Sequence, residues 1–335
     1  MENNKLNIVF LGGSITEGAG ASAIHKSYVS ILSEYLKEFY SEKNLNFHNA
    51  SASGTGSNFT LFRLDRDVLV YNPDLIFIEF AVNDRIYPCF DVSVYMESLV
   101  RKILVHNSKT KIIFFITPTN MSDACGDIHK KIAYYYNIPT IDIQDYVWRE
   151  IGKENLTWEK ISMDSLHPND YGHKVYGEYI INFIKKNPSI MNNYPILKKK
   201  NLMGICYKNP KFLNYDYGKF YGHWREEEVP LKNRVNLVAA SNYIGDAIEI
   251  DFKGKYLSLA TIFSKDSGIL ELNIDNKYAF TVDLYNNSQC SFNTVLISKD
   301  LEEGYHRLIL RVNENKNPSS SGNKVVFGGL LVDEG

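Results

Sequence analysis

Three short blocks of this sequence hold residue types that can do chemistry together. Leu11-Gly12-Gly13-Ser14-Ile15-Thr16 sets a serine directly behind two glycines. Asp164-Ser165-Leu166-His167-Pro168 sets a histidine three residues after a carboxylate. Glu79-Phe80-Ala81-Val82-Asn83-Asp84 offers a side-chain amide. A serine hydroxyl is a poor nucleophile at neutral pH, so it needs an adjacent base, and that base needs an orienting partner. Asp164 can orient His167 within one turn, and His167 can take the Ser14 proton. The Asn83 amide can donate to a developing oxyanion, and so can the backbone N–H of a glycine in Ser53-Gly54-Thr55-Gly56-Ser57. The chemistry these types allow is attack of Ser14 on an acyl carbonyl.

Each block also has a plainer reading when taken alone. The glycines around Ser14 suit a phosphate-cradling loop or simple chain punctuation. They do not match the dinucleotide pattern, and no Lys-Ser/Thr pair follows as a P-loop needs. Asp164 could cap a turn, His167 could be a surface histidine, and Asn83-Asp84 could be a turn. Among the other histidines, His173 is expected to be exposed on a helix. His25, His48, His106 and His129 lack an acidic residue in the right relation. No His/Asp/Glu cluster has metal-ligand spacing, so neither a metal nor a cofactor is expected.

The elements that must position these residues follow from periodicity. Short apolar runs at residues 8–11, 46–50, 75–80, 111–117 and 140–143 read as strands. Helical patterns at 28–39, 61–70, 94–105 and 129–136 alternate with them, and a last helix starts near Asn169. That alternation predicts a parallel α/β sheet covered on both faces. Continuous runs such as Ile112-Ile113-Phe114-Phe115-Ile116 fit strands buried on both faces. The sites then fall at strand ends, where open sheets place their ligands. Pro168 holds His167 away from helical geometry, on a loop ahead of the last helix.

Beyond residue 187 the pattern changes. Residues 188–203 read as a polar, lysine-bearing linker. From 204 to 335 the period is two, as in Ile248-Glu249-Ile250-Asp251-Phe252, with turn signals such as Asp275-Asn276 and Glu303-Gly304 between the runs. This predicts an all-β sandwich or jelly roll. Aromatics from Tyr207 to Trp224 suit either an interdomain core or stacking on sugar rings.

The blocks at Ser14, Gly54, Asn83 and Asp164/His167, in this order, resemble the SGNH hydrolases, the GDSL-type esterases and lipases, over roughly residues 5–187. The resemblance implies a flavodoxin-like three-layer sheet in domain 1–187. It also implies a Ser14–His167–Asp164 triad and an oxyanion hole built from Ser14 N–H, Gly54 N–H and the Asn83 amide. The sequence departs from the family at Gly13, commonly Asp, and at Ala81, commonly Gly. Gly54-Thr55-Gly56-Ser57, the Arg63-to-Leu69 stretch and Pro73-Asp74 look like the carbohydrate-esterase branch. A short-acyl, chiefly acetyl, ester of a small molecule or polysaccharide is the substrate this implies. A polysaccharide O-acetyltransferase using acetyl-CoA and the same triad is an alternative, and a non-catalytic glycan-binding protein is another. Nothing resembles a long apolar lid, which disfavours a lipase.

Composition narrows the partners. A length of 335 residues predicts two domains, and 44% apolar with 23% charged residues is ordinary for a globular protein. A net charge of −2 gives no reason to expect nucleic acid or an anionic membrane. Four scattered cysteines, without a Cys-x-x-Cys pair, suit a reducing compartment. No run approaches the roughly 20 apolar residues that span a bilayer, and no leader pattern opens the chain. A cytoplasmic location is the expectation.

Overall fold

The computed structural model describes residues 4–121, 125–231, 233–288 and 290–335. The chain forms two units, Met1–Cys206 and Tyr207–Gly335. In the first, the order is β1 (Lys5–Gly12), α1 (Ser14–Glu17), α2 (Tyr28–Phe39), β2 (Asn44–Asn49), α3 (Ser57–Asp67), β3 (Leu75–Glu79) and α4 (Ala81–Asp84). There follow α5 (Cys89–His106), β4 (Lys111–Ile116), α6 (Gly126–Tyr136), β5 (Thr140–Asp142), α7 (Ile143–Gly152), α8 (Trp158–Ile161) and α9 (Asp170–Lys186).

The five strands pair in parallel in the order β2-β1-β3-β4-β5, the flavodoxin-like order. Ile8, Val9, Phe10 and Leu11 are all buried, because β1 lies inside the sheet with helices on both faces. The rings of Phe10, Phe77 and Phe115, one from each of β1, β3 and β4, stack with centroids 5.2 and 5.1 Å apart. Helix α2 starts where Ser27 accepts from Ser30 N, and it buries Tyr28, Leu32 and Leu36. The sheet order reverses between β1 and β3, and that switch point carries both Ser14 and Asn83.

Residues 188–203, expected to be a linker, lie against the α/β unit instead. Met191 is fully buried, Ile196 N donates to Tyr136 O at 2.8 Å, and Leu202 and Met203 N–H donate to the buried Glu97 carboxylate. A buried carboxylate needs donors, and this segment supplies two of them.

The second unit holds β6 (Pro210–Asn214), β7 (Lys219–Tyr221), β8 (Arg225–Glu228), β9 (Leu237–Ser241), β10 (Ala247–Lys253) and β11 (Tyr256–Phe263). It ends with β12 (Ile269–Ile274), β13 (Tyr278–Asp283), β14 (Ser291–Ser298), β15 (Tyr305–Val312) and β16 (Val325–Asp333). Two antiparallel sheets run β13-β12-β15-β10-β7 and β14-β11-β16-β9-β8, with β6 also on β16. Both sheets send apolar residues into one core, including Ile250, Leu272 and Leu310 from one and Leu259 and Phe327 from the other. Of the aromatic cluster, Tyr215 and Trp224 pack on this core, whereas Tyr217 and Tyr221 stay about half exposed.

Candidate active site

Ser14 is the first residue of α1, at the carboxyl end of β1. Its Oγ lies 2.9 Å from His167 Nε2. His167 Nδ1 lies 2.8 Å from Asp164 Oδ2, so Nδ1–H faces the carboxylate and Nε2 is free to accept the serine proton. The other Asp164 oxygen accepts the N–H groups of Leu166 at 2.6 Å and His167 at 2.7 Å. Partial burial raises the Asp164 pKa. The His167 ring and the two N–H donors outweigh that effect and hold the carboxyl below its usual range.

The loop carrying this pair is closed by a bridge between Ser162 and Pro168. Ser162 Oγ lies 2.8 Å from both the Asp164 and the His167 carbonyl oxygens, and Trp158 Nε1 donates to Asp164 O at 2.8 Å. Asn169 then caps α9 by accepting from Gly172 N at 3.0 Å. His167 therefore sits on a pinned loop just ahead of the helix.

Gly54 turns the loop after β2. Its φ of +69° lies in the left-handed region, and the turn closes with Thr55 N and Thr55 Oγ1 both on Ala52 O. Ala52 N in turn donates to Gly12 O at 3.0 Å, which lays this loop beside the nucleophile turn. Asn83 lies on the other side. A Cβ on Gly13 would fall 2.0 Å from Asn83 Oδ1, so a side chain at 13 would push this carboxamide aside. Among the described residues, none accepts a hydrogen bond from Ser14 N, Gly54 N or the Asn83 amide. The five residues expected to form the site thus follow the carboxyl ends of β1, β2 and β3 or stand on the α8–α9 connection, with three donors unclaimed.

Beneath Ser14 runs a buried polar network. Thr16 Oγ1 bonds Tyr28 OH at 2.7 Å and Glu79 at 3.1 Å, and Thr117 donates to Glu79 at 2.6 Å. Burial pushes the Glu79 carboxyl up, against the lowering effect of its two hydroxyl donors. Two histidine expectations are corrected here. His173 is fully buried: Nδ1 accepts from Tyr28 N at 3.3 Å and Nε2 donates to Ala19 O at 3.0 Å. His129 does have an acidic partner, since its Nε2 lies 2.9 Å from the fully buried Asp84. Asp84 also accepts from Ser57 N at 2.8 Å, and Glu17 accepts from Ser53 N at 2.9 Å and from Ser53 Oγ. Neither carboxylate was singled out in the sequence, because each partner lies tens of residues away. Among the described residues, no group of His, Cys, Asp and Glu could hold a metal ion, and no helix is long and apolar enough to cross a membrane.

Residues 10–175 match the GDSL-like Lipase/Acylhydrolase family model, and all five site residues fall inside that span. Residues 10–175 form a domain of this family. The protein is a carboxylic ester hydrolase, in which the Ser14–His167 bond lies at the sheet's switch point. A two-domain esterase active on acetylated mannans, co-crystallised with mannopentaose, shares its fold. The TM-score is 0.86 at 22% identity, covering 99% of this chain and 92% of that one. A second structure of a two-domain esterase active on acetylated mannans gives 0.84 at 22% identity, covering 98% and 91%. At that identity the likeness carries the fold of both units. No curated protein matches the chain in sequence.

Proposed function

We propose that this hydrolase removes a short acyl group, acetyl foremost, from a carbohydrate by way of an acyl-enzyme on Ser14. The observation that carries the reading is the continuous line Asp164–His167–Ser14, at 2.8 and 2.9 Å, ending beside three unclaimed donors. His167 Nε2 takes the Ser14 proton as Oγ bonds to the acyl carbon. The carbonyl oxygen becomes an oxyanion held by Ser14 N–H, Gly54 N–H and the Asn83 amide. The tetrahedral centre collapses, His167 protonates the departing sugar oxygen, and the acyl group stays on Ser14. Water then attacks the acyl-enzyme, gives its proton to His167, and releases the carboxylic acid as Ser14 recovers its own. Asp164 keeps the imidazole in the tautomer both halves need. The mannan-active esterases with the same two-unit fold support a sugar as the alcohol.

The test is hydrolysis of p-nitrophenyl acetate and longer esters, then of acetylated mannan and acetylated xylan, by the wild type and Ser14→Ala. Acetate release from a glycan that vanishes in the variant is the expected result. Equal release by both proteins would reject Ser14 as nucleophile, and activity confined to long-chain esters would reject the short-acyl assignment.

A further inference from the structure

The loop that presents Gly54 is poorly suited to hold its own shape. Residues 53–57 contain two glycines, and Gly54 is solvent-exposed with φ +69°. A glycine-rich exposed turn keeps much conformational freedom, whereas an oxyanion donor must be fixed before the charge develops. Each end of the loop is nonetheless gripped by a carboxylate. At the leading end, Glu17 accepts both the N–H and the hydroxyl of Ser53. At the trailing end, Asp84 accepts Ser57 N at 2.8 Å, its other oxygen meets His129, and a Cβ on Gly56 would strike it at 2.3 Å.

The origins of the two carboxylates matter more than their number. Glu17 closes α1, the single turn that Ser14 opens, and its own N–H bonds Gly13 O at 3.0 Å. Asp84 directly follows Asn83. Each clasp therefore ties the Gly54 loop to an element bearing another donor of the same hole. The hydrogen bonds found for Glu17's carboxylate run to Ser53, and Arg63, a fully buried guanidinium, is close enough to sense its charge. Arg63 donates to Ala50 O at 2.8 Å, on the same stretch of chain. Charge-assisted bonds from a carboxylate to backbone N–H are among the stronger ones, and a carboxylate can receive the Ser53 N–H and O–H together.

We infer that Glu17 is a positioning residue of the oxyanion hole: it holds the Ser53 end of the loop so that Gly54 N–H stays aimed at the reacting carbonyl, with Asp84 securing the other end. This rests on the reading of Ser14, Gly54 and Asn83 as the catalytic centre. The hydrogen bonds found for the Glu17 carboxylate go to Ser53 and not to Ser14, His167 or Asn83.

The experiment compares wild type, Glu17→Ala and Glu17→Gln by acetyl-ester kinetics and by amide hydrogen exchange of the peptide covering residues 50–60. Glu17→Ala should lose roughly ten- to a hundredfold in kcat with KM little changed, short of the loss from deleting a donor outright. Its 50–60 peptide should exchange faster. Glu17→Gln, whose amide oxygen still accepts from Ser53 N–H, should recover most of both. Unchanged exchange in Glu17→Ala, or faster exchange with unchanged kcat, overturns the inference. A rise in KM with kcat intact would make Glu17 a substrate contact instead, and also overturns it. If the wild type shows no Ser14-dependent ester cleavage, the functional reading fails on that control, and the inference falls with it whatever the exchange data show.

Discussion

A Cβ on Gly13 would fall 2.0 Å from Asn83 Oδ1, so a side chain there would displace the carboxamide from its present position. Gly13→Ala should therefore cut kcat as Asn83→Ala does, by about 10²–10³, and the double variant should be little worse than either. Additive losses in ester kinetics would show that the two positions act separately. Asp164 acts through tautomer and orientation, so Asp164→Asn should lower kcat by about 10³–10⁴ with the protein still folded. Asp164, with its pKa held below the usual carboxylate range, stays ionised at neutral pH, as its orienting role requires. Ser14, Asp164 and His167 were legible in the sequence because each sits in a contiguous motif. Glu17, Asp84 and His129 were not, because their partners are 36, 27 and 45 residues away. His173 was misplaced for the same reason, since its partners Tyr28 and Ala19 belong to the other end of the unit.

At the scale of elements, periodicity found what is buried on a face and missed what is not. Strands β1, β3 and β4 and helix α2 were legible because their apolar residues repeat cleanly. Helix α7 was not foreseen, as it follows β5 with no intervening loop and starts from an Asp142 cap inside the apparent strand. Strand β14 escaped because its side chains alternate only weakly between buried and exposed. The α9 cap supports the loop that carries His167, so Asn169→Ala should cost about 1 kcal/mol in urea unfolding. Burial lowers the pKa of His173, while an unfolded histidine takes up its proton near 6.5. Its neutral form therefore adds stability that is complete above about pH 6.5 and is lost as pH falls through the lower folded value. The urea midpoint of the wild type should drop more between pH 7 and pH 5 than that of His173→Gln. An equal drop in both would assign the dependence to other groups.

Over the whole molecule, two units of different class each carry their own core, α/β first and antiparallel β second, the order that the switch from helical to alternating periodicity predicts. The boundary itself was not legible. Lysines and asparagines in 188–203 suggested a solvated connector, yet Met191 and the donors to Glu97 join that stretch to the α/β unit. Leu310 is fully buried in the β unit's core, so Leu310→Ala should destabilise by about 2–5 kcal/mol through lost burial and the cavity left behind. Thermal unfolding would register it, and a loss below 1 kcal/mol would mean that the core collapses around the gap. In the proposed reaction one serine, activated by one histidine, becomes acylated. The most direct test is to treat the folded protein with a fluorophosphonate and map the adduct by peptide mass spectrometry. The folded wild type should take one label per chain, on Ser14, strongly slowed in His167→Ala and absent from Ser14→Ala. A label on another residue, or none on the folded wild type, would contradict that assignment.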